Sequence, residues 1–456
     1  MAPRSTFKRL SQGFLAWKAI LLIVAILAPG PGYDTSALIA SNPSHLRHTE
    51  VKCWSQLDRL SLKLLRWDAL YFVKSAQRGY LFEQEWAFSW AYSLIIDTLV
   101  KLLPWNAPHA LKCYVWAGII VSNTCHFISV FVLYHLANVL LGHQQNSRIP
   151  FVASTLHIVS PAGIFLSSPY AESLFSALNF TGMLLYAQAR ASDQLGTKHT
   201  VREDFSILGA GVFFMLATWI RSNGLLSGLL FALDVVICLL RFLRVQLGTN
   251  DLRRLAITCA SGVLLGVGSI IPQYMAYRHY CNSELGASTR PWCSKALPSI
   301  YTWVQSHYWN VGFLRYWTLS NLPLFLMAGP MLWLLVQTSI EHLRYSSQHL
   351  PKPSRTQIRS RDKNSGTLGT TSWNVPQLAL PQLVLAFAAA TNFHVQVINR
   401  LSSGYPTWYL AVAKWIVTPN TVQKERTSKN SQWICRGLIM YALVQGALFA
   451  NFLPPA

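Results

Sequence analysis

The sequence predicts an all-α, polytopic transmembrane helical bundle, and three observations support that prediction. Hydrophobic residues make up 52% of the 456 positions, whereas charged residues make up only 12%. The charged fraction is about half that of an average soluble domain. Apolar runs also recur along the whole length. We therefore expect a single membrane-embedded domain over residues 1–456.

The first element is a basic stretch, MAPRSTFKRL, that continues into FLAWKAILLIVAILAPGPG. This order of charge and hydrophobicity is typical of a secretory signal, but no convincing small-residue cleavage site follows. Further apolar runs do follow. We predict an uncleaved first helix with its N-terminus in the cytosol.

Ten further apolar runs bring the predicted number of membrane helices to about eleven. The 405–418 run is short for a span, which also allows a partly re-entrant segment. The runs cover residues 113–141, 151–168, 170–190, 205–221, 224–243, 255–278, 315–339, 379–399, 405–418 and 434–453.

The formal net charge of +21 comes mostly from basic residues between the apolar runs. This placement indicates positive-inside topology and contact with anionic headgroups, not a nucleic-acid partner. Arg241, Arg244, Arg253 and Arg254 mark one cytosolic loop. Residues 341–376 are predicted to form a flexible basic cytosolic loop, because they combine Lys and Arg with Ser, Thr, Pro and Gly.

Counting spans back from these loops predicts that residues 41–112 form a large luminal loop carrying amphipathic, interfacial helices. One such helix is expected at 91–105, AYSLIIDTLVKLLPW. The loop is itself basic, which opposes this orientation, although orientation rules weigh short loops most. Cys281 and Cys293 bracket a polar loop and could form a disulfide if that loop faces an oxidising lumen.

The segment RWDALYF places Asp68 beside Arg66 at a membrane boundary. A carboxylate at such a boundary can have its pKa raised toward neutrality, which suits a general base. An interfacial ion pair or a helix N-cap would explain the same residues. At this point both interpretations stay open.

Glu83 and Glu85 follow the RGY turn and alternate with aromatic residues. Carboxylates accept hydrogen bonds from sugar hydroxyls and aromatic rings stack on sugar C–H faces, so this composition is typical of a sugar site. The alternative is a solvated loop with aromatic membrane anchors.

Two charged residues lie at the ends of apolar runs. Glu172 begins one run, where it could simply favour the helix dipole. Arg221, in ATWIRSNGLLSG, ends another. Its guanidinium matches the geometry of a lipid phosphate, although an arginine at a membrane boundary can also only snorkel.

The segment PSIYTWVQSHYWNVGFLRYW is unusually aromatic and ends in Arg315 before the next apolar run. It contains Trp309 and Asn310. An aromatic belt would explain the rings alone, whereas the polar residues among them indicate a platform for a glycan or a lipid headgroup.

Five blocks, in order, resemble the PIG-V type of GPI mannosyltransferase (GPI mannosyltransferase 2), in a fungal-looking form. The resemblance covers residues 66 to about 410. One departure is SWAYS at 89–93, where family members often have an aromatic-Pro element. The blocks are RWDALYFVKSAQRGYLFEQEWAF, SPAGIFLSSPYAESLFSALNF, ATWIRSNGLLSG, IYTWVQSHYWNVGFLRYW and NFHVQVINRLSSGYPTWYL.

The resemblance implies a glycosyltransferase of the GT-C class with its active site in the lumen of the endoplasmic reticulum. It implies transfer of the second mannose, in α-1,6 linkage and with inversion, from dolichyl-phosphate-mannose to the GPI precursor. Asp68 is then the expected general base. The expected substrate-binding residues are Arg66, Trp67, Glu83, Glu85, Glu172, Arg221, Asn223, Trp309, Asn310 and Arg315.

The expected partners are the lipid-linked donor, the GPI precursor, the endoplasmic reticulum membrane and a small accessory membrane subunit. No cofactor or metal is expected, because the donor carries no nucleotide diphosphate. Two alternatives remain. One is a GT-C mannosyltransferase with an N-glycan or protein acceptor. The other is a non-enzymatic multipass lipid transporter, which would predict inverted repeats that the sequence does not display.

Overall fold

The computed structural model describes residues 3–29, 56–104, 110–141, 148–194, 201–243, 249–281, 290–348, 375–417 and 424–451. In those ranges the chain is helical and contains no β-strand. The predicted all-α class is therefore confirmed. Residues 41–55 and 105–109 of the predicted luminal loop, and 349–374 of the predicted cytosolic loop, lie outside the described residues.

Fifteen α-helices longer than four residues follow one another along the described chain. Short 3₁₀ turns, including Glu83–Ala87 and Ser222–Ser227, join several of them. The helices are α1 Pro3–Leu27, α2 Gln56–Leu64, α3 Asp68–Arg78, α4 Trp90–Leu102, α5 Leu111–Leu141, α6 Ile149–Ile158, α7 Glu172–Gln194, α8 Val201–Ile220, α9 Gly228–Leu243, α10 Thr249–Cys281, α11 Ile300–His307, α12 Leu322–Gln348, α13 Ala379–Thr391, α14 Thr407–Val417 and α15 Lys424–Ala450.

Seven of the described helices are long and apolar enough to cross a membrane: α1, α5, α8, α9, α10, α12 and α15. Each apolar run found in the sequence contains a helix, but some runs give shorter helices than a span needs. The run 151–168 contains α6, which ends at Ile158. Pro161 and Pro169 follow, and proline cannot supply the backbone N–H that a continuing helix requires.

The centre of the bundle is built by α5, α7, α8 and α10, which pack side by side in that order. Small residues allow close approach there. A Cβ on Gly182 would lie 2.5 Å from the Phe214 ring, and one on Gly211 would lie 2.8 Å from the Ser261 Cβ. Small residues at helix contacts are typical of membrane bundles, because close packing replaces the hydrophobic effect there.

Helices α2, α3 and α4 occupy the part of the chain between α1 and α5. The predicted interfacial segment 91–105 contains α4, which has 13 residues and is too short to span a bilayer. Asp97 and Lys101 of α4 form an ion pair in which Lys101 Nζ lies 2.7 Å from Asp97 Oδ2, and the lysine is exposed. Ser89 caps the helix, since its Oγ accepts a hydrogen bond from the Tyr92 N–H at 3.0 Å.

Candidate active site

Asp68 is the first residue of α3, where the helix dipole favours a carboxylate. Trp67, immediately before it, has a φ of 53°. This left-handed conformation is uncommon for a bulky residue and is found preferentially at functional sites. The Asp68 side chain is 27% exposed. The backbone of Asp68 is therefore fixed by the start of α3, while its carboxylate is accessible to a ligand.

Arg400 joins Asp68 to a second carboxylate, Glu172. Its Nη2 donates to Asp68 Oδ2 at 2.5 Å, and its Nε lies 3.4 Å from Glu172 Oε1. Arg221 Nη1 donates to the same Glu172 oxygen at 2.7 Å. The four residues thus form an alternating chain of acids and bases, Asp68–Arg400–Glu172–Arg221, and each comes from a different segment of the sequence.

Burial and charge act on Arg400 in opposite directions. Burial favours the neutral form, whereas the nearby Asp68 and Glu172 carboxylates favour the cation, and the net pKa of Arg400 is raised. Glu172 is also buried, with a side chain 1% exposed. Charges at such depth are tolerated when they are paired. The cluster is therefore a balanced set of charges with one carboxylate, Asp68, at its open end.

The segment before Glu172 is held from α1. The Lys18 ammonium donates to the Leu166 carbonyl and to the Ser167 hydroxyl, both at 2.8 Å. The Tyr170 hydroxyl donates to the Arg66 carbonyl at 3.0 Å. These contacts fix the start of α7 relative to the residues that lead into α3, so the two carboxylates keep their separation.

Asp68, Arg221 and Arg400 lie on the wall of a cavity of about 1260 Å³. Lys74 and Arg78 also line it, so the polar part of the wall carries more basic than acidic side chains. A basic wall suits a substrate that carries phosphate.

An apolar helix forms another part of this wall. Gly268, Pro272 and Gln273 line the cavity, and they belong to α10, one of the membrane-length helices. The wall therefore combines charged side chains with a membrane-length helix, a combination that suits a substrate with a polar head and a lipid tail.

Six of the eleven sequence-predicted site residues line the cavity: Trp67, Asp68, Glu85, Arg221, Asn223 and Trp309. Glu172 lies behind the wall and contacts two lining arginines. The cavity lining does not include Arg66, Glu83, Asn310 or Arg315. Arg315 is exposed, and Asn310 has a left-handed φ of 51°.

Glu85 fixes the turn that follows α3. It accepts a hydrogen bond from Arg78 at 2.6 Å, and its other oxygen accepts from the N–H groups of Leu81 and Phe82 at 2.8 and 3.1 Å. The side chain of Asn223 donates to the Tyr405 hydroxyl at 3.0 Å. Both residues thus combine a structural contact with a place on the cavity wall.

Glu83 accepts hydrogen bonds from four side chains of one segment, residues 290–309, which we name the cap segment. Arg290 and Trp292 donate to Oε1, the latter at 2.9 Å, and Trp303 and Tyr308 donate to Oε2 at 3.2 Å each. Burial raises the pKa of Glu83, but the hydrogen bonds from Trp292 and Arg290 outweigh it, so the net pKa lies below its ordinary value.

Two parts of this arrangement were not among the sequence-predicted residues. Arg400 belongs to NFHVQVINRLSSGYPTWYL and directly follows the apolar run 379–399, and an arginine at the end of an apolar run is a signal that could have found it. Arg290 and Trp292 carry no comparable local signal. The predicted Cys281–Cys293 disulfide is present, with a Cα–Cα distance of 5.8 Å, and it joins the end of α10 to the cap segment.

Metal ligands were not predicted from the sequence. Across the part of the chain that the structure describes, no group of three or more His, Cys, Asp or Glu side chains is placed to hold a metal ion.

Comparison with known proteins gives a match over almost the whole chain. The family model described as "Mannosyltransferase (PIG-V)" matches residues 8–456. GPI mannosyltransferase 2 of Chaetomium globosum is 42% identical, over 99% of this chain and 96% of its own. The protein of the same name from Aspergillus oryzae is 39% identical, over 100% of this chain and 97% of its own.

Among solved structures, the chain is similar to the archaeal oligosaccharyltransferase AglB from Archaeoglobus fulgidus, in complex with an inhibitory peptide and a dolichol-phosphate. The sequence identity is 10% and the TM-score 0.46, over 96% of this chain and 56% of AglB.

Proposed function

The chain belongs to the PIG-V mannosyltransferase family, whose model covers residues 8–456, and on that premise we propose its donor, acceptor and linkage. It is a multi-pass membrane mannosyltransferase of GPI-anchor synthesis. The proposed reaction transfers the second mannose from dolichyl-phosphate-mannose to the one-mannose GPI precursor. The new bond is α-1,6 and the reaction inverts the anomeric centre, as the resemblance to the GT-C class implies.

The observation that carries this proposal is the position of Asp68. Its carboxylate lies at the open end of the charged cluster and on the wall of a cavity that also has two arginines of that cluster. A glycosyl transfer from a sugar phosphate needs one base for the acceptor hydroxyl and positive charge for the departing phosphate. Both requirements are met within one group of contacting side chains.

The proposed chemistry is a single displacement. The 6-hydroxyl oxygen of the acceptor mannose bonds to C1 of the donor mannose while the bond from C1 to the phosphate oxygen breaks. Asp68 takes the hydroxyl proton, and dolichyl phosphate leaves with the electron pair. Because attack and departure occur on opposite faces of the sugar, a β-linked donor gives an α-linked product, as in inverting glycosidases.

The phosphate is assigned to the arginines of the cavity. Arg221 and Arg400 both line it and both contact Glu172. Glu172 is therefore proposed to orient the two guanidinium groups from behind, not to touch the substrate. Phosphate contact by Arg66 or Arg315 remains a prediction. Arg221 and Arg400 are the stronger candidates, because they line the cavity and Arg66 and Arg315 do not.

The acceptor sugars are assigned to the polar and aromatic part of the wall. Glu85, Asn223 and Trp309 line the cavity, so they are the predicted residues best placed to meet sugar hydroxyls and C–H faces. Sugar contact by Trp67, Glu83 and Asn310 also remains a prediction.

The remaining proposals concern the protein's orientation in the membrane, its cofactors and its partners. The cavity is proposed to open to the lumen of the endoplasmic reticulum, without a metal or other cofactor. A small accessory membrane subunit is proposed as a partner. The relatives named GPI mannosyltransferase 2 support a GPI precursor as the acceptor.

The test is an assay of GPI intermediates in cells that lack this protein. We expect the one-mannose intermediate to accumulate, and membranes containing the chain to convert it to the two-mannose product when supplied with dolichyl-phosphate-mannose. A normal GPI profile together with a defect in N-glycans or protein mannosylation would identify a different acceptor. If GPI anchors, N-glycans and protein mannosylation are all normal, the proposed mannosyltransferase activity is contradicted.

A further inference from the structure

The cap segment is attached to the rest of the protein by apolar packing, by a disulfide and by hydrogen bonds. It contributes Trp292, Ile300 and Val304 to a small apolar cluster that is separate from the main core and includes Ala276 of α10. The Cys281–Cys293 disulfide joins it to the end of α10. Trp86 and Ala87, in the turn that follows α3, also pack against this cluster, and the rings of Phe88 and Trp309 meet edge to face with centroids 5.4 Å apart. Polar groups add to these apolar contacts.

Glu83 supplies the main polar attachment. Its carboxylate receives four donors from the cap segment, two on each oxygen, and its side chain is only 8% exposed. Hydrogen bonds to a charged acceptor are among the stronger ones in proteins. Since both oxygens of Glu83 accept hydrogen bonds from the cap segment, Glu83 contacts the cap segment directly and is not part of the cavity lining.

The cap segment in turn supplies one side of the cavity. Six of its residues line the wall and, except for Trp309, all carry a hydroxyl or an amide: Ser299, Tyr301, Thr302, Gln305, Ser306 and Trp309. Gln273 of α10 holds the start of α11, because its Oε1 accepts from the Ser299 hydroxyl at 3.0 Å and from the Tyr301 N–H at 3.1 Å. Hydroxyls, amides and a tryptophan ring are the groups that recognise a carbohydrate.

We propose that Glu83 is a positioning residue that fixes the cap segment over the cavity, and that the cap segment determines affinity for the glycan headgroup of the acceptor. This inference rests on the proposed function, since it assigns one wall of the same cavity to the acceptor. Arg290 and the Cys281–Cys293 disulfide act with Glu83. The donor phosphate binds elsewhere on the wall, at Arg221 and Arg400.

The experiment measures kcat and the KM values for acceptor and donor in membranes matched for protein amount. Glu83→Gln and Arg290→Gln should each raise the acceptor KM about tenfold, the effect of one lost charge-assisted hydrogen bond. The donor KM and kcat should stay near the wild-type values. Asp97→Asn removes a carboxylate from an exposed ion pair away from the cavity and should change nothing.

Two further measurements identify positioning as the mechanism. The double variant Glu83→Gln/Arg290→Gln should be no worse than either single variant, because both remove the same attachment. Dithiothreitol should raise the acceptor KM of the wild type. Cys281→Ser/Cys293→Ser should start with the raised KM and not respond to dithiothreitol.

Specific results would overturn the proposal. If Glu83→Gln raises the acceptor KM but Arg290→Gln does not, Glu83 binds the sugar itself. If neither changes the acceptor KM while the wild type transfers mannose, the cap segment has no role in acceptor binding. If the wild type does not convert the one-mannose precursor at all, the proposed function fails first.

Discussion

Arg400 contacts both carboxylates of the charged cluster, at 2.5 Å for Asp68 and 3.4 Å for Glu172. Its guanidinium also lies over the ring of Tyr170, 5.5 Å from the ring centroid. Removing it would break the ion pair with Asp68 and leave Glu172 paired with Arg221 alone. This one residue therefore determines both the shape and the charge of the site.

Arg400→Gln should lower the midpoint of thermal unfolding in detergent and abolish mannose transfer. Breaking a largely buried ion pair by removing one partner costs up to about 3 kcal/mol when the remaining charge is partly exposed, as Asp68 is. The double variant Arg400→Gln/Asp68→Asn should recover much of the stability but none of the activity, since it removes one of the two acids. If Arg400→Gln is as stable and as active as the wild type, the cluster has neither role.

Arg221→Lys should raise the KM for dolichyl-phosphate-mannose about tenfold, because lysine keeps the charge but loses the two-pronged guanidinium. Arg241→Lys is the matched control, since Arg241 is exposed and its ion pair with Asp251 lies in another part of the protein. An unchanged donor KM in Arg221→Lys at equal protein amount would mean that Arg221 only supports Glu172.

The sequence indicated Arg221 because it is a charged residue at the end of an apolar run, and it indicated Asp68 through RWDALYF, a block at a predicted membrane boundary that carries the family resemblance. It could not show that Asp68 pairs with Arg400, which is 332 positions away. It also could not separate Glu83 from Glu85, since both stand among the same aromatic residues. Only the fold shows that Glu85 lines the cavity while Glu83 faces the cap segment.

At the level of elements, the RSNG turn between α8 and α9 positions Arg221. The Gly224 N–H donates to the Arg221 carbonyl at 2.8 Å. A Cβ on Gly224 would lie 2.7 Å from the Thr218 backbone nitrogen and 2.8 Å from the Ala217 carbonyl carbon. Backbone atoms of α8 cannot move away as a flexible side chain could, so the turn requires glycine.

Gly224→Ala should therefore displace the turn and weaken donor binding even though Arg221 is still present. The donor KM should rise as it does in Arg221→Lys, and the thermal midpoint should fall. Gly262→Ala is the control, because nothing lies within 4 Å of a Cβ at Gly262. Equal kinetics for both alanine variants would show that the turn tolerates a side chain.

The hydrophobic pattern predicted where the helices lie, whereas the lengths of the helices depend on local features such as prolines. Helix α6 has ten residues and is followed by a 3₁₀ turn, Gly163–Leu166, where the sequence indicated one longer run. The prolines at 161 and 169 explain the break. Lys18 then holds the irregular segment through Leu166 and Ser167, a contact between distant parts of the chain that no local pattern reveals.

At the level of the whole molecule, four segments meet at one end of the bundle. Asp68, Glu172, Arg221 and Arg400 are linked by direct ion pairs, so the segments that carry them must share one side of the membrane. The proposed side is the lumen. The segment 341–376 is proposed to lie on the cytosolic side.

A glycosylation sequon placed at Ser294 of the cap segment should therefore acquire a glycan, whereas one placed at Ser365 should not. Digestion with an endoglycosidase and a mobility shift measure both outcomes. A glycan at Ser365 and none at Ser294 would reverse the orientation and place the cavity on the cytosolic side.

The central claim is that Asp68 takes the proton from the acceptor hydroxyl. Its most direct test is the rate of mannose transfer from dolichyl-phosphate-mannose to the one-mannose GPI precursor by Asp68→Asn, in membranes matched for protein amount. General-base catalysis contributes about 10² to 10⁴ in rate, and asparagine keeps the shape while removing the base. We predict a loss of at least about a hundredfold in kcat. Turnover near the wild-type rate would contradict the account.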